Sequence, residues 1–121
     1  MAVVTKISPL APKAFPDLPV IKGVRFATAA AGVRYQGRTD VMLAVADAGS
    51  SVAGVFTKSA TRAAPVLDCQ DKIGKSGDAG VAILVNSGNA NAFTGKFGRA
   101  SVEAITSAVG NSTNMPVERV F

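Results

Sequence analysis

Apolar and polar positions fall into several periodic segments along the chain. Residues 22–29 alternate, with Val24 and Phe26 on one face, and read as a strand. Residues 40–46 are apolar on both faces, Val41, Leu43 and Val45 against Met42, Ala44 and Ala46, which predicts a central strand. Asp47-Ala48-Gly49-Ser50 then supplies a turn, and residues 51–57 are expected to return as the antiparallel partner of that strand. Pro65 cannot donate to a ladder, so residues 62–67 are expected at a sheet edge or a strand end. Residues 72–78, with two glycines and two lysines, read as a surface loop.

The run Val81-Ala82-Ile83-Leu84-Val85 reads as a strand buried on both faces. Together with residues 40–46 it presents apolar surface on two sides, which a single helix cannot cover. That helix is expected over residues 99–109, where Val102, Ile105 and Val109 recur at i, i+3 and i+7 and Ala108 widens the stripe. Gly110-Asn111 is a natural stop, and Pro116 follows. Residues 79–121 therefore read as strand, loop, helix and strand.

The loop between strand and helix is the most distinctive stretch. Asn86-Ser87-Gly88-Asn89-Ala90-Asn91-Ala92-Phe93-Thr94-Gly95 leaves the strand through small, amide-rich residues. Asparagine and glycine tolerate positive φ, so the backbone can turn tightly or approach another group closely. Carboxamides bring neutral donors and acceptors with no charge to desolvate, and ligands in α/β sheets tend to sit where strands end in such loops. The residues alone leave two readings open, a ligand-facing loop and a turn whose asparagines satisfy their own backbone. The second stands slightly ahead on physics alone. A phosphate-binding loop fails on spacing, because six residues rather than four separate Gly88 from Gly95-Lys96, and Phe97 stands where a magnesium-binding hydroxyl is needed.

The wording of residues 86–95 resembles the signature of the ornithine acetyltransferases, which double in many organisms as glutamate N-acetyltransferases. Three further segments agree in order. Gly32-Val33-Arg34-Tyr35-Gln36-Gly37-Arg38-Thr39-Asp40 resembles the family's early turn between strands. Ala53-Gly54-Val55-Phe56-Thr57 with Ala63-Ala64-Pro65-Val66 resembles its next pair of segments, and Pro116-Val117-Glu118-Arg119-Val120-Phe121 the approach to the strand after its first long helix. The resemblance runs from about Ser8 to Phe121.

The resemblance implies an α+β fold, part of a layered α/β/β/α sandwich with mixed sheets of the N-terminal-nucleophile type. Residues 1–21 would be a proline-rich extended arm and residues 22–121 the first portion of the α-subunit catalytic domain. It implies a precursor that cuts itself before a threonine, whose hydroxyl, with the new α-amine as base, takes an acetyl group and passes it on in a ping-pong cycle. In relatives a Ser-Thr-Gly segment supplying the oxyanion hole follows almost at once after a Val-Phe like Val120-Phe121. Oxyanion segment, cleavage junction and nucleophile are thus expected beyond Phe121, and no catalytic residue is expected within the chain. Asn86, Ser87, Asn89, Asn91 and Thr94 are expected to support the active site. The implied partners are a β-subunit from the same precursor in an α2β2-like assembly and small amino-acid substrates. No cofactor is expected, and acetyl-CoA enters only as an alternative acetyl donor. Ala27-Thr28 and Ala60-Thr61 have the family's cleavage dipeptide without its surroundings, and read as ordinary strand or turn residues.

Composition adds exclusions. At 121 residues and 48% hydrophobic the chain can build one core. It contains no histidine, which removes a histidine-dependent triad, and with a single cysteine a protein-only zinc site is implausible. Cys69 reads as a small half-buried apolar residue rather than a nucleophile. No apolar run approaches the ~20 residues of a membrane helix. Pro9, Pro12, Pro16 and Pro19 with Asp17 leave no signal-peptide core, so a cytoplasmic location is expected, and Asn111-Ser112-Thr113 is a chance sequon. The net charge of +5 comes from scattered lysines and arginines with few aromatics, which argues against nucleic acid. The alternatives carried beside the acetyltransferase are a non-catalytic binding or structural domain, and an aminopeptidase of related architecture.

Overall fold

The computed structural model describes residues 6–75 and 77–121. Residues 1–5 of the arm, and Ser76 of the loop expected over residues 72–78, lie outside the described residues. Residues 6–21 are exposed and form no helix or strand, apart from a turn closed by the Ala11 N–H on the Ser8 carbonyl at 2.9 Å.

Three strands form one sheet in the order β1 (Val24–Ala29), β2 (Val41–Ala46), β3 (Val81–Asn86), each antiparallel to its neighbour. As the apolar pattern requires, β2 is central. Its register sets Leu43 opposite Ala27 and Leu84, and Val45 opposite Arg25 and Ala82. One face therefore carries Val41, Leu43, Val45, Ala82 and Leu84. The other carries Phe26, Met42, Ala44, Ile83 and Val85. Residues 51–57 do not form the expected third strand. Both hydrogen-bonding edges of β2 are already taken by β1 and β3, so no edge remains for a returning hairpin.

Residues 62–67 are also corrected. Helix α1 spans Ala64–Lys72, with Pro65 in its first turn. Proline is welcome there because its missing N–H would have had no intrahelical partner, and its fixed φ already suits the helix. Ala63, extended at φ −65° and ψ 154°, marks the start. Lys72 thus belongs to a helix, and it is buried rather than looped out.

Helix α2 spans Gly95–Thr113, longer at both ends than the expected 99–109. Gly110 does not stop it. A side chain there would stand 2.8 Å from the Met115 carbonyl oxygen, so glycine serves the close approach of the returning chain. The left-handed cap is Asn114 at φ 53°, whose N–H bonds the Gly110 carbonyl. The buried stripe is displaced as well: Thr106, Val109 and Gly110 are buried, whereas Ile105 is 46% exposed and Ala108 is exposed.

After a 3-10 turn at Val117–Arg119, Val120 forms a parallel bridge with Ala82, which makes the sheet mixed. Ala82, Val109 and Val120 form the core, with Leu43, Val45, Leu84 and Met115 packed on it. Complete burial of Val120 contributes about 1.5–3 kcal/mol. The helices therefore cover one face of the sheet. The opposite face stays open, with Phe26 69%, Ile83 39% and Val85 49% exposed, so β3 is not buried on both sides within this chain. The α+β class is as expected, with one sheet and one helical layer.

Candidate functional site

The asparagine loop leaves the C-terminal end of β3 and is closed by the first turn of α2. Its Asn86 amide donates to the Asn89 carbonyl at 3.1 Å, and the Asn89 Oδ1 accepts the Asn91 N–H at 2.9 Å. Asn91 is the hub. Its Nδ2 donates to the Gly98 carbonyl at 3.0 Å, its Oδ1 accepts the Thr94 hydroxyl at 2.7 Å, and its own carbonyl accepts the N–H of Ala64, where α1 begins. Asn91 and Phe93 hold left-handed backbone at φ 50° and 58°, a conformation that asparagine tolerates and that a bulky side chain adopts only at a cost. The loop thus stores strain that its internal bonds must offset. Gly98 is obligatory for this clasp. A Cβ there would collide with Thr94 Oγ1 and lie 2.6 Å from Asn91 Oδ1.

A second segment grips the loop from the other side. The buried Asp40 carboxylate accepts the N–H groups of Ala31 and Val33, each at 2.7 Å, and fixes the turn over residues 30–39. The Asp40 carbonyl accepts the Ser87 N–H at 2.8 Å, and Arg34 Nη1 donates to the Gly88 carbonyl at 3.3 Å. Arg34 and Arg38 lie 5.9 and 4.7 Å from the Tyr35 ring centroid, favourable cation–π placements. The motif around residues 32–40 and the asparagine loop are therefore one structural unit.

Beside this unit, between sheet and helices, is a cavity of about 320 Å³ lined by Asn86, Asn89, Asn91, Val33, Cys69 and Phe121 among others. A larger, more polar cleft of about 970 Å³ opens between α1 and the start of α2, where Asn91 and Thr94 meet Arg62, Asp71, Lys96 and Arg99. Asn91 reaches both. Of the five expected residues, Asn86, Asn89 and Asn91 come together on the inner cavity and Thr94 braces Asn91. Ser87 lines neither space and is held by its backbone. Most of the loop's amide groups are used internally, as the turn reading expected. Asn86 Oδ1 and Asn89 Nδ2 make no hydrogen bond among the described residues and remain available to a ligand.

Cys69 faces the inner cavity half-buried. Burial pushes its thiol pKa up, the neighbouring Asp68 carboxylate adds to this, and the Lys72 ammonium partly opposes it. The thiol stays protonated at neutral pH and is a poor nucleophile. Among the described residues no group of three or more Cys, Asp or Glu side chains is placed to hold a metal ion, and no helix is long and apolar enough to cross a membrane. Asp40, Gly98, Asp68 and Lys72 were not among the residues singled out from the sequence. Each acts through tertiary contacts, and the Asp68–Lys72 spacing of i, i+4 carries meaning only once α1 is known to be a helix.

A sequence model of the ArgJ family matches residues 25–121. Across all 121 residues the chain is 70% identical to the arginine biosynthesis bifunctional protein ArgJ of Ruegeria pomeroyi, covering 30% of that protein. It is 61% identical over 117 residues, 97% of its length, to the protein of the same name from Bradyrhizobium diazoefficiens, covering 28% of it. The fold is similar to the crystal structure of ArgJ from Bacillus halodurans, with a TM-score of 0.73 and 31% identity over 82% of this chain and 51% of that one. It is also similar to an ornithine acetyltransferase complexed with ornithine from Mycobacterium tuberculosis, with a TM-score of 0.66 and 34% identity over 82% of this chain and 53% of that one. The α+β arrangement of sheet and helices is thus one that this chain shares with solved ArgJ and ornithine acetyltransferase structures. The chain belongs to the ArgJ family, and it spans about 30% of the length of the curated relatives it matches.

Proposed function

We propose that this chain acts as the first portion of an α-subunit in an enzyme that moves an acetyl group from N-acetylornithine, or from acetyl-CoA, to glutamate. In this reading the acetyl group rides on a threonine outside the chain, freed by self-cleavage of a precursor. The chain supplies the floor and wall of the site. The carrying observation is the convergence of the turn over residues 30–39, the asparagine loop and Phe121 around one cavity. Asn86 Oδ1 and Asn89 Nδ2 suit a neutral amide substrate, since they offer one acceptor and one donor without charge.

The β-subunit of the same precursor is the proposed partner, in an α2β2-like cytoplasmic assembly, and it would cover the open face of Phe26, Ile83 and Val85. Removing an oxyanion donor costs orders of magnitude in rate, so without the downstream segment the chain is inactive in this reading. The test is a chimera of the Ruegeria pomeroyi relative in which the matching 121 residues are replaced by this chain. Acetyl transfer from N-acetylornithine to glutamate is then followed by mass spectrometry. A soluble, cleaved chimera with no transfer from either donor would refute the reading.

A further inference from the structure

Two cations are buried beside Val120, outside the asparagine loop: Lys72 at 8% exposure and Arg119 at 7%. The Lys72 ammonium donates to Asp68 Oδ2 at 2.7 Å and to the Val120 carbonyl at 3.1 Å. Arg119 donates through Nε to the Gly80 carbonyl at 3.1 Å and through Nη2 to the Ser50 carbonyl at 2.6 Å. A buried ion pair is weak as a stabiliser, because desolvation offsets most of the attraction and well-packed apolar residues serve as well. The value of this pair must be sought in what it orients.

The ladder shows what that is. Phe121 donates its N–H to the Ala82 carbonyl at 2.8 Å and accepts the Leu84 N–H at 2.7 Å. In a parallel strand the residue before it directs its carbonyl to the opposite side. Val120 is fully buried, so water cannot reach that carbonyl, and its partner is a lysine side chain rather than another strand. Its own N–H is turned back to the Val117 carbonyl at 3.1 Å. The chain at residue 120 is therefore held on one side by the ladder to β3 and on the other by a side chain that α1 holds in place through Asp68.

We infer that Lys72, braced by Asp68, is a positioning residue for acetyl transfer: it fixes the strand at Val120 and thereby the segment that continues from Phe121 into the acetyl-transfer site. This rests on the function proposed above, in which oxyanion donors lie just beyond Phe121. Such donors act only within a narrow geometric range, and a displacement of about 1 Å costs on the order of 100-fold in rate. Substrate affinity depends on other groups and should not follow.

The experiment uses the same chimera with Lys72→Met, with Asp68→Asn, and with the exposed Lys75→Met as control. Rates are expressed per mole of cleaved enzyme, and kcat and KM are measured separately alongside thermal unfolding. Lys72→Met is expected to lower kcat by about 10-fold or more with KM within about twofold of the parent. Asp68→Asn should give a smaller loss in the same direction, and it carries the test alone if Lys72→Met does not accumulate as folded protein. Lys75→Met should match the parent. Parental kcat in the folded Lys72 or Asp68 variants, or a change confined to KM or to melting temperature, overturns the inference. An inactive parent chimera would instead overturn the proposed function, which keeps the two failures apart.

Discussion

Substituting Gly98→Ala opposes two effects of known size. Alanine is favoured over glycine in a helix interior by about 1 kcal/mol, and Gly98 lies within α2, so propensity alone forecasts a more stable protein. Against this, the new Cβ would collide with Thr94 Oγ1 and stand 2.6 Å from Asn91 Oδ1 and 2.8 Å from Thr94 Cβ. All three are far inside the ~3.5–4.0 Å of comfortable contact. Neither neighbour is the free end of a flexible side chain, because each is bonded to the other and Asn91 is also bonded to the Gly98 carbonyl. Making room releases both bonds, at about 1 kcal/mol each, and overpacking adds about 1–3 kcal/mol. The clash wins. The net expectation is a destabilisation of about 2–4 kcal/mol, which at a urea slope of roughly 2 kcal/mol/M lowers the midpoint by about 1–2 M.

The assay is urea denaturation of the 121-residue chain followed by far-ultraviolet circular dichroism, since the chain has no tryptophan. A double-mutant cycle sharpens it. With Thr94→Ala already present, the colliding hydroxyl is gone, so adding Gly98→Ala should cost about 1 kcal/mol less than it does alone. A Gly98→Ala midpoint at or above the parent's, or strict additivity with Thr94→Ala, would refute the clasp.

Other expectations follow from the same structure. Acetyl transfer from N-acetylornithine to glutamate by the 121-residue chain alone should be undetectable, and turnover near the ~10 s⁻¹ of an ordinary enzyme would contradict this. Asn91→Ala should destabilise by about 1–3 kcal/mol and Asn89→Ala by less, because Asn91 closes the loop from the inside while Asn89 is exposed; equal urea midpoints would refute that ranking. With its pKa raised, Cys69 holds less thiolate than a free thiol at any pH below that value, so iodoacetamide should modify it more slowly at pH 7.5 and Lys72→Met should slow it further. The chain alone should bind an apolar dye through its open sheet face, and Phe26→Thr should reduce the signal; an unchanged signal would place the dye elsewhere.

Legibility from sequence followed how local each cause was. Strands β1, β2 and β3 were readable because apolar side chains at period two, or on both sides of a short run, are a property of the segment itself. The asparagine loop was readable because its φ requirements are met by the residues that adopt them, notably Asn91. Failures cluster where a neighbour decides. Pro65 is incompatible with a central strand and ideal in a first helical turn, and nothing within residues 62–67 separates the two. Gly110 looks like a stop, yet it continues the helix because Met115 and Val117 return against it. Residues 51–57 have strand character but no free edge on which to use it. Lys72 looks like a loop residue in the sequence because a buried lysine has no local signature. Its partners are one turn back in α1 and 48 residues ahead at Val120.

The same distinction applies to the two faces of the sheet, which the apolar pattern makes nearly equivalent. On the helix side, Leu43, Val45 and Leu84 meet Val109, Val120 and Met115, and the face is closed. On the other side the register sets Ala44 between Phe26 and Ile83, a small residue flanked by two large ones. Layers that interdigitate need this alternation, because a large side chain from the apposed layer seats over the small one. A face built only to meet solvent gains nothing from Phe26 and Ile83 at 69% and 39% exposure, and it carries an association hazard. Local pattern therefore specifies that both faces are apolar, whereas the pairing of large with small across β1, β2 and β3 gives the open one the relief that the proposed β-subunit would pack on. Covering it is the step by which the proposed β-subunit would contribute stability to this chain as well as chemistry.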